Sequence, residues 1–256
     1  MKNNTLLFFF TFLALFNLKS SAQENTNQTD CKSCTVIPGS IDKFKNALTD
    51  SKLHYYTDGG KTKLDLKKAA LECNPEYFTT CNGLLILTSP GKKKDRTEIR
   101  QNKNLALNDY SAMEFAAIFE KVPFTNEKKG VTIGQIHNDT KGVKRPLLRV
   151  EIAGGSEIRT VVTDSYLKGE GNVTNDFFTS FTEGDHIECK ITINETGNSV
   201  TVFVKNTTEN KIKTKTYKVS KLWQKMDGEF YFKAGAYTQV SGPKTKVSYD
   251  KFDFRY

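Results

Sequence analysis

The sequence predicts an all-β fold, an antiparallel sandwich or jelly roll, and three observations carry that expectation. From Leu84 onward, short segments alternate apolar and polar residues at a period of two, the spacing of a strand with one buried face. Turn signals punctuate these segments at short intervals, most clearly Asn194-Glu195-Thr196-Gly197-Asn198 between Ile187–Ile193 and Val200–Val204. No long helical pattern alternates with the strands, as an α/β fold would require.

In chain order, residues 1–22 read as a secretory signal peptide. Lys2 is the basic start, Leu6 to Leu18 an apolar run too short for a good membrane span, and Ser20-Ser21-Ala22 the cleavage site. The mature protein is expected to be soluble, secreted to the periplasm or the extracellular space, and monomeric. Residues 23–36, rich in Asn, Thr, Gln and Ser, read as a flexible linker, leaving 37–256 as one domain. Ser40 to Leu48 and Lys63 to Cys73 have mixed apolar spacing and read as short surface helices. Strands are expected at 83–87, 96–100, 112–122, 131–137, 147–152, 158–162, 187–193, 200–204, 230–239 and 247–256.

Of the net charge of +9, Lys2 and Lys19 lie in the leader, which leaves +7 on the mature chain. An exported basic protein suits a polyanion, although Lys92 to Lys94, Lys128-Lys129 and Lys211 to Lys215 fall in expected loops, where solvation suffices to explain them. Five cysteines remain after the leader. Cys73 and Cys81, bracketing a short Asn-Pro loop, are the expected disulfide; Cys31 and Cys34 form a C-x-x-C without a second ligand pair; Cys189 alternates with apolar neighbours as a buried thiol.

Three polar stretches stand out. On the strand Phe230 to Gln239, Phe230, Phe232, Ala234 and Ala236 share an apolar face, while Tyr231, Lys233, Tyr237 and Gln239 share the other. That second face reads either as the floor of a polar groove or as an ordinary solvated strand face. In Arg96-Thr97-Glu98-Ile99-Arg100, Glu98 sits between two arginines of the same parity. It either orients guanidinium groups for an incoming carboxylate or belongs to a surface ion-pair ladder. In Gln135-Ile136-His137, Gln135 and His137 share a face. With only His54 and His186 besides, and no H-x-H or H-E-x-x-H spacing, a histidine-built metal site is not expected.

Together, Arg-Thr-Glu-Ile-Arg, Gln-Ile-His and Tyr-Phe-Lys-Ala-Gly-Ala-Tyr-Thr-Gln, in this order, resemble the three signature motifs of the alginate lyases of polysaccharide lyase family 7. The resemblance spans about Gly83 to Tyr256 and includes the closing Val247 to Phe254; the usual Trp-containing opening strand is not evident. Ile99 stands where Leu is usual and Thr238 where Asn is common. The resemblance implies a β-jelly roll whose concave sheet forms an open cleft. It makes Arg96, Gln135, His137 and Tyr237 catalytic, and Glu98, Arg100, Lys233 and Gln239 organising or sugar-binding residues. Tyr231 joins them on the same face. The implied partner is alginate or a related acidic polysaccharide, with no nucleic acid, membrane, metal or cofactor.

Cleavage of a uronate chain by β-elimination needs the carboxylate neutralised, a base at the C5 proton and an acid at the C4 oxygen. Arg96 and Gln135 suit the first task, and Tyr237 the acid. For mannuronate, with proton and leaving oxygen on the same side, Tyr237 serves as base too; for guluronate, with the two opposed, neutral His137 is the base. In the family, Gln-Ile-His accompanies guluronate-containing substrates more than Gln-Val-His does. A non-catalytic jelly-roll lectin and a lyase for another polyuronate such as glucuronan remain open; a glycoside hydrolase lacks a facing pair of carboxylates. Finally, Asn138-Asp139-Thr140 is a glycosylation sequon beside His137, and a glycan there would obstruct the cleft.

Overall fold

The computed structural model describes residues 33–126, 129–143, 145–226 and 228–256. The expected signal peptide, linker residues 23–32, Cys31 and Lys128 lie outside the described residues.

Among the described residues, fifteen strands form two antiparallel sheets, the architecture expected from the period-two pattern. The first sheet runs β10 (Val173–Ser180), β9 (Glu157–Thr163), β8 (Leu148–Ala153), β7 (Gly130–Asn138), β14 (Phe230–Thr238), β5 (Arg96–Gln101), β1 (Ser51–Thr57) and β2 (Thr62–Leu66). The second runs β13 (Lys211–Lys218), β12 (Ser199–Asn206), β11 (His186–Ile193), β6 (Ser111–Glu120), β15 (Thr245–Arg255), β4 (Leu84–Ser89) and β3 (Phe78–Cys81). Their inner faces meet in one core. Phe230, Phe232, Ala234 and Ala236 of β14 and Ile99 of β5 pack into the same cluster as Met113, Phe115, Ala117 and Phe119 of β6 and Phe252 of β15. Burial of one face of β14 leaves its odd-numbered side chains on the open face of the first sheet.

The hairpin at Asn194–Asn198 forms as read: Ile193 pairs with Val200, and Gly197 turns the chain at φ 64° while its N–H donates to Asn194 O at 2.9 Å. Ser40–Leu48 contains the helix α1 (Asp42–Thr49), with Phe44, Ala47 and Leu48 turned inward. A second short helix, α2 (Lys221–Gln224), is capped by Ser220 and seats Trp223, whose indole N–H donates to Thr163 O at 2.7 Å.

Three sequence expectations are corrected. Lys63 to Cys73 is not a helix: its first residues pair as β2 against β1, and only Ala69–Leu71 makes a 3-10 turn. Lys211 to Lys215 is not a loop but the start of the edge strand β13. Lys213 Nζ bonds Phe177 O, and Lys215 Nζ meets Asp176 Oδ1 at 2.5 Å, so these lysines bridge to β10, the edge of the other sheet. Charged side chains on an edge strand also guard it against pairing with another chain. Cys73 does not pair with Cys81. The loop between them closes through its own backbone, Asn74 N to Phe78 O at 2.6 Å and Phe78 N to Asn74 O at 2.8 Å. Cys73 bonds instead to Cys34, with Cα atoms 5.8 Å apart, while Cys81 is itself disulfide-bonded. Thr80 Oγ1 donating to Val36 O at 2.9 Å fastens the same segment. Cys189 is a buried free thiol, as expected.

Candidate active site

Backbone register assembles the site. Across β14 and β5, Lys233 faces Arg100, Gly235 faces Glu98 and Tyr237 faces Arg96. Across β14 and β7, Tyr231 faces His137, Lys233 faces Gln135 and Tyr237 faces Thr132. Directly opposed residues share a face, and Gln239 bonds Thr132 Oγ1 at 2.5 Å, so all nine sequence-predicted residues lie on the open face of the first sheet. Two local irregularities make this possible. A bulge at Ile133 interrupts the pairing of β7, which sends Val131 and Ile133 into the core while Thr132, Gln135 and His137 stay on the open face. Gly235, at φ 149°, lets the β5 backbone approach: a Cβ there would lie 2.2 Å from Thr97 O.

At the centre is Glu98, only 1% exposed. It accepts from Gln135 Nε2 at 2.5 Å and from Arg96 Nη1 at 3.4 Å, and Lys233 Nζ stands 3.7 Å away. One buried carboxylate thus aligns an amide and two cations, and its own charge offsets only one of them. The Arg96 guanidinium lies over the Tyr237 ring, 3.9 Å from its centre, and Arg96 Nε is buried without an acceptor. Burial, reinforced by Arg96 and Arg100 and opposed by Glu98, lowers the Lys233 pKa to about 8.

A second cluster holds His137. Its ring stacks on Tyr231 (centroids 5.7 Å), and Arg100 covers Tyr231 at 3.8 Å while bonding Asp139 Oδ2 at 2.7 Å. His137 Nδ1 accepts from Asn138 N at 2.8 Å and lies 2.9 Å from Asn138 O. Burial, with Lys233 adding to it, pulls His137 down to about 4, so the ring is neutral at pH 7. Burial pushes Tyr231 up to about 12. Tyr231 and Arg100 are thus engaged with protein partners and shape the wall around His137. Along the strands His137 stands opposite Tyr231 and Tyr237 opposite Thr132, with the Lys233–Gln135 pair between them. Asn138 is buried, its amide donating to Met226 O and its carbonyl accepting from Thr140 N, so the sequon side chain is committed inside the fold.

The sequence reading missed two groups. Strand β1 adds His54 opposite Glu98 and Tyr56 opposite Arg96. Tyr56 lies under Arg96 at 4.9 Å. Burial, then Lys233 and Arg100, lowers His54 to about 2, and its Nδ1 is buried without a partner. The parity of Lys52, His54 and Tyr56 carried the signal, but nothing in the sequence says that this segment pairs with β5. On the other side, fully buried Glu151 holds Arg159 (Nε at 2.8 Å) and accepts from Gln239 Nε2 at 3.0 Å. The polar alternation of Arg149 and Glu151 was legible there. Among the described residues no group of three His, Cys, Asp or Glu side chains is placed to hold a metal ion.

The arrangement can hold a carboxylate at Arg96 and the Gln135 amide and present a neutral imidazole and a phenol to whatever that carboxylate belongs to. Comparison with known proteins points the same way. A family model described as alginate lyase matches residues 66–255. Among solved structures, alginate lyase AlyC3 superposes with a TM-score of 0.70 at 18% identity, covering 86% of this chain and 94% of that one. Alginate lyase A1-II', a member of polysaccharide lyase family 7, gives 0.68 at 18% (86% and 98% covered). The alginate lyase from Klebsiella pneumoniae gives 0.67 at 18% (86% and 99%). A substituted form of A1-II' is known in complex with the substrate GGMG (TM-score 0.67, 18%, 86% and 96%). No curated protein sequence matches the chain.

Proposed function

This chain belongs to the alginate lyase family, and from that premise we propose that it cleaves alginate by β-elimination on the open face of its first sheet, with Arg96, Gln135, His137 and Tyr237 as catalytic residues. The observation that carries this reading is the Glu98-centred group, in which Arg96 and Gln135 are held side by side and Tyr237 is stacked on Arg96. The C5 proton of a uronate is barely acidic while the adjacent carboxylate keeps its charge. Arg96 and the second N–H of the Gln135 amide offset that charge as the carbanion develops.

A base then takes the C5 proton, the C5–H pair forms the C4=C5 double bond, and the C4–O bond breaks as O4 accepts a proton. The products are a chain ending at the released O4 hydroxyl and a 4,5-unsaturated uronate. Tyr237 supplies the proton to O4. Where the C5 proton and O4 lie on opposite faces, as in guluronate, the neutral imidazole of His137 is the base. Where they lie on the same face, as in mannuronate, Tyr237 takes one proton and returns one. The substrate of the A1-II' complex, GGMG, contains both sugars. The Cys34–Cys73 cross-link supports export to an oxidising compartment.

The test mixes purified protein with alginate, polymannuronate and polyguluronate and follows absorbance of the unsaturated product. A rise is expected; no rise on any of the three sinks the assignment.

A further inference from the structure

The open face does not end at the proposed catalytic row. Toward β10 it deepens into a depression of about 660 Å3 whose lining includes Lys129, Arg149, Arg159, Asn175, Phe177 and Gln239. Charge does not balance there. Glu151, fully buried beneath, is one carboxylate between two guanidinium groups, and Lys129 and Glu157 at the rim offset each other, so one positive charge is in excess. Arg159 turns Nε and Nη2 to Glu151 Oε1, at 2.8 and 2.5 Å, which leaves its Nη1 edge directed away from that carboxylate. Arg149 is held more loosely. Its Nη1 reaches Gln239 Oε1 only at 3.4 Å, and its Nε is buried without a hydrogen-bond partner, Glu151 Oε2 being 3.7 Å away. Directly opposite Arg159 on β10 stands Phe177, with 53% of its surface exposed.

We propose that this depression is a distal subsite that binds the carboxylate of a second uronate unit of the same polysaccharide chain. Arg149 grips the carboxylate, the Phe177 ring carries the apolar face of a pyranose farther along the same chain, and Arg159 on Glu151 positions the site. The proposal rests on the reading of the open face as a polyuronate-cleaving surface. Neighbouring strands lie about 4.8 Å apart, close to the advance of one pyranose in a 1,4-linked chain, so a chain crossing the strands places about one sugar on each. Arg149 on β8 is two strands from Tyr237 on β14, and Phe177 on β10 is four. The subsite therefore takes units two to four sugars away from the one at Tyr237. A surplus cation beside an exposed aromatic ring suits such a unit and suits a neutral sugar poorly.

The experiment measures kcat/KM on purified alginate oligomers from trimer to hexamer. For the unsubstituted protein it is expected to rise about tenfold or more with length, the scale of one charge-assisted hydrogen bond. In Arg149→Gln and in Phe177→Ser the hexamer-to-trimer ratio should fall to near one, with thermal midpoints confirming that both variants fold; Arg149→Lys should retain part of the rise. An unchanged ratio in both folded variants overturns the subsite. If the protein cleaves no oligomer, the catalytic reading fails separately. Calorimetric affinity for hexamer over trimer, compared between the unsubstituted protein and Arg149→Gln, then decides the subsite: a preference lost in the variant supports it, and an equal preference removes it.

Discussion

Arg96 carries its guanidinium carbon 3.9 Å from the centre of the Tyr237 ring, and the two residues are direct partners across β5 and β14. The contact joins the group proposed to hold the substrate carboxylate to the group proposed to move the proton. Displacement of either therefore disturbs both tasks.

Tyr237→Phe keeps the ring under Arg96 and removes only the hydroxyl. The expected result is a loss in kcat of about 10²-fold or more, the usual scale for a general acid or base, with alginate affinity retained in a binding measurement. Turnover at the unsubstituted rate would remove Tyr237 from the mechanism.

Tyr56 flanks Arg96 from β1 at 4.9 Å and is a positioning residue. Tyr56→Leu should lower kcat by about three- to tenfold, equivalent to a cation–π contact of about 0.5–1 kcal/mol. Tyr56→Phe, which keeps the ring, should restore most of it. Equal losses in both variants would show that the ring face is not what matters.

The pH profile of kcat/KM should be bounded on both sides. His137 must be neutral to act as base, and its lowered pKa places the acid limb near pH 4. Lys233 must keep its proton to pair with Glu98, and its lowered pKa places an alkaline limb near pH 8. Lys233→Arg, whose charge persists, should abolish the alkaline limb; a limb that stays at pH 8 would assign it elsewhere.

Stability should fall on acidification between about pH 6.5 and 4. Both His54 and His137 have folded pKa values below the unfolded value near 6.5. The unfolded chain therefore binds protons in that window that the folded protein excludes, and stability drops as pH falls. Each histidine contributes on the order of 2 kcal/mol of loss at pH 5. Denaturant midpoints at pH 7 and pH 5 measure the effect, which should shrink in His54→Asn.

Cys34→Ser removes a cross-link of sequence separation 39. A loss of about 2–4 kcal/mol is expected, read as a lower thermal midpoint. Cys73 lies just before β3, at the edge of the second sheet, so lyase activity per folded molecule should be preserved.

Much of the site was legible because a strand encodes its faces locally. Phe230, Phe232, Ala234 and Ala236 announce a core face, and this alone places Tyr231, Lys233 and Tyr237 together on the other. Where the period breaks, the sequence misleads. Strict alternation from Gln135 would set Val131 and Ile133 beside it, but the bulge sends both into the core. Lys211 to Lys215 looked like a loop because lysine alternating with Thr and Ile has no buried face to declare; its role is to bridge two sheet edges.

The sequence by itself determined the all-β class, the polar parity of the three signature stretches and the buried state of Cys189, all of which follow from the chemistry and spacing of adjacent residues. Only the tertiary structure decided which strands lie next to one another. That choice set Tyr56 against Arg96, gave His137 the Tyr231–Arg100–Asp139 wall, paired Cys73 with Cys34 and opened the depression at Arg149. The reason is physical: alternation fixes the direction of a side chain, whereas its neighbours depend on pairings between segments far apart in the chain, which the period of a single strand does not encode.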